Sequence, residues 1–271
     1  MKKILTLIAA VLCFSTVMNA QDGAEAKKFR FGFRVSPTPY WLRSDNIKAY
    51  TGNGSKFGFG IGLQVEFKLT DNVSFCSGLG WDFEGGKQKY ISNATDTFAY
   101  VMDATQAPIQ NSSVGPTTWA QTGVKPYKVV DRLVKTSYVT IPLTLKMMTN
   151  EISGLKYYFL GGVNVGILTK AKATDDVLNA YTNAASQITD IDIKSDCSPI
   201  KVGLNVGGGA EYRIAGTTSL FVTVNYLRAF TNMYKTPSEY LFTQGYSNGT
   251  VNKAKQGAYG DGIQINLGVL F

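Results

Sequence analysis

The chain has 271 residues, enough for one large barrel or two small domains, and carries 27 Lys and Arg against 19 Asp and Glu. It contains no histidine, which excludes histidine-based acid–base catalysis, serine–histidine triads and histidine metal sites. The net charge of +8 is not concentrated on any helix or stripe, so nucleic acid is not an expected partner and anionic lipid headgroups fit better.

Residues 1–20 read as a secretion signal that is removed on export. Lys2 and Lys3 form its charged start, residues 4–14 its apolar stretch, and Ala20 precedes the cleavage point. The apolar stretch is too short for a membrane helix. Cys13 leaves with the signal, and the bulky Val11 and Leu12 before it argue against lipidation. The mature domain is then residues 21–271. Export permits a disulfide between the remaining Cys76 and Cys197, but their strand positions place them near opposite ends and predict that they stay unpaired.

No stretch beyond the signal reaches the ~20 apolar residues of a membrane helix. Instead, apolar and polar residues alternate in blocks, the pattern of membrane strands. The first block, residues 29–35, turns Phe29, Phe31, Phe33 and Val35 to one face and Arg30 and Arg34 to the other. The second, residues 57–69, opposes Phe57, Phe59, Ile61, Leu63, Val65, Phe67 and Leu69 to Gln64, Glu66 and Lys68. The third, residues 73–90, turns Phe75, Leu79, Trp81 and Phe83 one way and Ser74, Cys76, Asp82 and Glu84 the other.

The fourth block, residues 137–148, carries Val139, Ile141, Leu143, Leu145 and Met147 opposite Lys146. Pro142 inside it cannot donate to a ladder and is expected to mark a bulge. The fifth spans residues 155–168, with Lys156 on the polar face, and the sixth residues 200–214, with Lys201, Glu211 and Arg213. The seventh spans residues 220–230 and puts Arg228 on the apolar side. The eighth closes the chain with Ile263, Ile265, Leu267, Val269 and Phe271 alternating against Gln264, Asn266 and Gly268. Such a terminal strand is expected to be the signal read by the barrel assembly machinery.

Three links between blocks are short (residues 70–72, 149–154 and 215–219). Four are long (residues 36–56, 91–136, 169–199 and 231–260). Their strict alternation predicts an all-β, eight-stranded antiparallel transmembrane barrel with short periplasmic turns and four long outer loops. The side occupied by charge decides between membrane and soluble barrels. Arg30, Arg34, Glu66, Lys68, Asp82, Glu84, Lys146, Lys156, Lys201, Glu211 and Arg213 share the polar face, so that face is the lumen and the apolar face meets lipid. An outward Arg or Lys at the bilayer midplane costs roughly 2–4 kcal/mol.

The strand sequences also resemble a known group. Tyr138-Val-Thr-Ile-Pro-Leu-Thr-Leu-Lys146, Tyr158-Phe-Leu-Gly-Gly-Val-Asn164, Gly207-Gly-Gly-Ala-Glu-Tyr212 and the final strand are similar to the PorT-type, porin-family outer-membrane β-barrels of Bacteroidetes. The resemblance covers the strands of the mature chain. It implies a barrel in the outer membrane and, for one member type, a place in secretion and gliding machinery.

The lumen charges are expected to interlock as a plug, with a narrow anion-preferring channel as the alternative. Glycines 58, 60, 62, 78, 80, 203, 207 and 209 on the same face relieve crowding. No cofactor, metal or catalytic residue is expected. Residues 80–87 miss the spacing of a phosphate loop, and Asp190, Asp192 and Asp196 lack the glycine of a calcium loop. A histidine-free envelope enzyme is the third and weakest reading.

Thr174 is expected to cap a loop helix whose apolar face holds Val177, Leu178, Tyr181, Ala184, Ala185 and Ile188. Loop aromatics Phe98, Tyr100, Trp119, Tyr127, Tyr234, Tyr240, Phe242, Tyr246 and Tyr259 serve either a protein partner in the envelope or a cap over the barrel. Lys125, Lys128, Arg132 and Lys135 are candidate contacts for lipopolysaccharide phosphates. Tyr40, Trp41 and Tyr90 are candidates for an outer aromatic girdle.

Overall fold

A computed structural model describes residues 29–91, 97–113, 125–247 and 250–271. The signal segment, Trp119 and the side chain of Tyr246 lie outside the described residues and side chains. Eight antiparallel strands close into a ring. They are β1 (Phe29–Ser44), β2 (Tyr50–Lys68), β3 (Val73–Tyr90), β5 (Lys125–Met148), β6 (Leu155–Asn179), β8 (Ile200–Ala215), β9 (Thr218–Ala229) and β12 (Ala258–Leu270). Each pairs with its neighbours in chain order, and β12 closes the ring against β1. Among the described residues, four further strands hang from the long-connection end: β4 (Phe98–Met102), β7 (Ala185–Asp192), β10 (Phe242–Ser247) and β11 (Thr250–Lys253). β4 pairs with β5, β10 with β4, β11 with β10, and β7 with β6.

The short turns all lie at one end. Residues 70–72 join β2 to β3, and residues 149–154 join β5 to β6. Gly216, at φ +55°, supplies the left-handed turn between β8 and β9. Outside the ring, Phe33, Trp81, Phe83, Leu143, Phe159, Val224 and Ile265 are all exposed, with Phe33 at 56 %. An apolar band of this extent needs a lipid covering.

The long connections are shorter than the sequence suggests, because the strands run on through them. β1 and β2 leave only residues 45–49 between them, β5 absorbs residues 125–136, and β6 absorbs residues 169–179. β5 has 24 residues and β6 has 25, whereas about 9–11 cross a membrane. The surplus is about 40 Å of strand. The wall is low on the opposite side, where β9 has 12 residues and β12 has 13.

Along the tall wall the same face stays inward, with the alternation reset by irregularities in the β5–β6 pairing between Val129 and Asp131 and between Ser137 and Tyr138, but the chemistry swaps. On β5, Lys146, Thr144 and Thr140 point in near the short turns, and farther up Tyr138, Val134 and Val129 point in while Lys135 points out. The upper half therefore has the apolar-in, polar-out pattern of a soluble barrel. Its core includes Leu42, Tyr90, Phe98, Tyr100, Val134, Val177, Tyr234 and Leu241.

Three expectations are corrected. Thr174 does not cap a helix; it lies in β6, and a turn then leads to β7. Pairing with β5 on one side and β7 on the other satisfies both edges of this segment, so its backbone has no need of a helix. The two acids read as a helical first turn have other partners: Asp175 meets Arg132 inside, and Asp176 accepts a hydrogen bond from Gln187 at 2.8 Å. Pro142 marks no bulge, since the β3–β5 register is the same on both sides of it; the paired positions simply skip from Thr144 to Thr140. Tyr40 and Tyr90 are not girdle residues, being buried at 1 % and 3 % exposure, while Trp41 is half-exposed on the outside.

Candidate functional site

The lower interior is a stack of charge tiers. In the first, nearest the short turns, Arg30 on β1 and Glu66 on β2 are register partners and pair at 3.0 Å. Arg30 also pairs with Glu211 on β8. Lys146 reaches in from β5 to Glu66 at 3.0 Å and Glu211 at 2.8 Å, with its ammonium 4.3 Å from the Tyr158 ring. Two cations and two anions thus bridge β1, β2, β5 and β8 across the lumen and neutralise one another. Lys146 is 2 % exposed, and a charge so buried persists only when paired.

In the second tier, Arg34 donates to Ser36 Oγ at 3.2 Å and to Asn266 Oδ1 at 3.0 Å. Asp82 lies beside it. The space for both comes from glycine. A Cβ on Gly80 would stand 2.7 Å from the Arg34 guanidinium, and one on Gly60 would overlap Asp82 Oδ1. In the third tier, Lys201 on β8 pairs with Glu84 on β3 at 2.6 Å and lies 4.4 Å from the Tyr138 ring. Tyr40 and Tyr138 form the boundary with the apolar core above.

The structure thus stacks Arg30, Arg34, Glu66, Asp82, Glu84, Lys146, Lys201 and Glu211 inside the barrel. Lys68, Lys156 and Arg213 sit instead at the rim. Lys68 pairs with Asp71 at 2.8 Å, and both Lys156 and Arg213 pair with Glu151. With Arg30, Glu66 and Glu211 they line a cavity of about 220 Å³ open at the short-turn end.

A polar layer in the upper half escaped the sequence reading. Gln88, Arg132 and Asp175 are successive cross-strand partners on β3, β5 and β6. Arg132 makes a bidentate pair with Asp175, and the Tyr234 hydroxyl donates to Gln88 Oε1 at 2.8 Å. Arg132 is 3 % exposed, so it is no lipopolysaccharide contact. Its parity, shared with Tyr138 and Lys146, is the signal that marks it as inward. Of the other three candidates, Lys125 and Lys135 are exposed and Lys128 is half-exposed.

The last connection folds over the barrel as a cap. Asn111 donates to the carbonyls of Ser238 and Leu241 at 3.1 and 2.9 Å. Asp196, buried, accepts from Ser238 and from the Glu239 amide. Phe98, Tyr100, Tyr234 and Phe242 are buried, whereas Tyr127, Tyr240 and Tyr259 are half-buried. The buried four serve as cap residues and offer no surface to a partner. Cys76 and Cys197 are both free and buried, and burial pushes the Cys197 thiol up to about 12. Among the described residues no cluster of three or more Cys, Asp or Glu is disposed to hold a metal ion.

At the terminal strand, Ile263, Ile265, Leu267 and Phe271 are exposed and Val269 is half-exposed on the lipid side. The Phe271 ring lies 5.5 Å from that of Phe31 on β1.

The family model described as "Outer membrane protein beta-barrel domain" matches residues 19–235. Solved structures similar to this chain include Neisserial surface protein A, at 12 % identity, TM-score 0.36, 88 % of this chain and 96 % of that one. OprG from Pseudomonas aeruginosa is similar at 13 % identity, TM-score 0.37, with 90 % and 95 % covered. A major outer membrane protein from Thermus thermophilus is similar at 13 % identity, TM-score 0.36, with 90 % and 98 % covered. No curated protein matches the chain.

Proposed function

The chain belongs to the outer membrane protein β-barrel domain family, and from that premise we propose that it is a filled, non-catalytic barrel that works as an envelope scaffold or interaction protein. It is a protein of the bacterial outer membrane; the short-turn end faces the periplasm and the tall wall stands outside, as in barrels of this architecture. The observation that carries the reading is the interior. Paired charges bridge the lumen through the membrane, and an aromatic core follows above them. An eight-stranded barrel has just enough room for its own side chains. Export through residues 1–20 and delivery of the Ile263–Phe271 strand to the assembly machinery belong to the same proposal.

The finer assignment, to the PorT type and a secretion or gliding assembly, draws its support from residues 138–146, 158–164 and 207–212. Histidine is absent, and of the two carboxylates two residues apart on the inner face of β3, Asp82 and Glu84, the second is held by Lys201; neither supports a catalytic role. The runner-up is a small diffusion channel. The cavity at the periplasmic mouth favours it, but its floor of Arg30, Glu66 and Glu211 would have to part.

Liposome swelling tests the reading. Liposomes holding the refolded protein are expected to admit arabinose no faster than empty ones. Swelling that scales with protein content would transfer the proposal to the channel. For the finer assignment, loss of cargo secretion in cells lacking the protein would support a secretion role, and normal secretion would remove it.

A further inference from the structure

The upper edge of the apolar band on the tall wall is set by register. Trp81, Val139 and Ile167 lie side by side on β3, β5 and β6, with Phe83 just above Trp81. Climbing from there, the outward positions turn basic: Lys87 on β3, Lys135 on β5, Lys170 and Lys172 on β6. Lys135 lies four residues beyond Val139, about 13 Å along the strand. At a tilt near 45° that is roughly 9 Å of height, at the outer edge of a headgroup layer about 5–8 Å deep.

These cations crowd one another. Lys135 and Lys172 are direct cross-strand partners, an arrangement that is unfavourable for like charges. Lys172 has a counter-charge in Asp190 at 3.2 Å. Among the described residues no carboxylate lies within ion-pair distance of Lys87, Lys135 or Lys170. On the low-wall side the contrast is plain: Arg43 is neutralised by Asp261 at 3.1 Å.

We propose that Lys87, Lys135, Lys170 and Lys172 form a docking face for the phosphate groups of an outer-leaflet glycolipid whose acyl chains lie along Trp81 and Phe83. Charge complementarity selects the headgroup. The stacked Trp81–Phe83 pair, with ring centroids 6.0 Å apart, lies directly below on the lipid side. The face replaces the lysine-rich stretch of β5 read from sequence, keeping only Lys135 of it. It rests on the outer-membrane location and not on the interior being closed, so the two readings fail separately.

The test uses refolded protein in phosphatidylcholine nanodiscs, with bisphosphorylated lipid A, its dephosphorylated form and inorganic phosphate as probes, and native mass spectrometry as the readout. Wild type is expected to retain bisphosphorylated lipid A. Lys87→Gln/Lys135→Gln/Lys170→Gln is expected to weaken retention about a hundredfold, and Lys125→Gln/Lys128→Gln to leave it unchanged. Heat-modifiable gel mobility reports folding; if the triple variant fails that check, Lys135→Gln alone is expected to weaken retention about fivefold. Retention by a folded variant equal to wild type would overturn the proposal. So would equal retention of the dephosphorylated lipid, or displacement by equimolar inorganic phosphate. An acidic protein captured in place of the lipid would also overturn it.

Discussion

Arg132 and Asp175 face each other across the β5–β6 pair and share two hydrogen bonds, Nε to Oδ1 at 2.8 Å and Nη2 to Oδ2 at 2.7 Å. Their side chains are 3 % and 0 % exposed, beyond the membrane and inside an apolar core. The pair lets two tall strands carry charge inward, with Gln88 beside Arg132 and an aromatic and aliphatic core around this polar layer. Removing one partner strands the other charge. Asp175→Asn or Arg132→Met alone is expected to cost about 3–5 kcal/mol, whereas replacing both by apolar residues costs far less. Urea titration in detergent micelles measures this, and equal costs for single and double replacement would contradict it.

The lower charges make a second, independent claim. Lys146→Met leaves Glu66 and Glu211 with Arg30 as their remaining cation. A loss of about 3 kcal/mol in stability is expected. Ion flow is not expected, because the apolar core above stays in place. Bilayer recordings of the variant that showed stable openings would mean that this tier alone seals the lumen.

The cysteines report on the packing. Cys197 lies in the cap with its thiol pushed up to about 12 by burial, so thiolate is scarce at pH 8 and rises only as pH nears that value. The folded protein is expected to resist maleimide at pH 8, and the urea-unfolded protein to take two labels on the mature chain. Rapid labelling of the folded form, read by mass spectrometry, would show the cap to be open.

Orientation follows from loop segregation. A protease tag inserted at Gln106, in an exposed turn, is expected to be cleaved on intact cells. One at Asn150, in a short turn at the other end, is expected to survive. The opposite pattern would invert the topology.

Much of this fold was legible because alternation is local. Phe31 and Phe33 against Arg30 and Arg34, or Ile263 to Phe271 against Gln264 and Asn266, need only the period of a strand. What alternation cannot tell is where the solvent changes. Above Phe83 the outward positions leave lipid for water, so Lys87 and Lys135 take the side that Phe83 and Val139 hold below. Arg132 then reads as a surface cation unless its parity is followed from Lys146 upward. Thr174, Asp175 and Asp176 gave a helix start for the same reason: the partners that hold them, Arg132 and Gln187, come from other strands. The rim positions of Lys68, Lys156 and Arg213 depended on Asp71 and Glu151 in the turns, which no strand pattern contains.

The most direct measurement is single-channel conductance of the refolded mature protein in a planar bilayer. A barrel bridged by Lys146, Glu66, Glu211 and Arg30 and capped by aromatics is expected to insert, migrate as folded on gels, and stay electrically silent. Steady, reproducible openings of one size would contradict the filled interior and make transport the leading function.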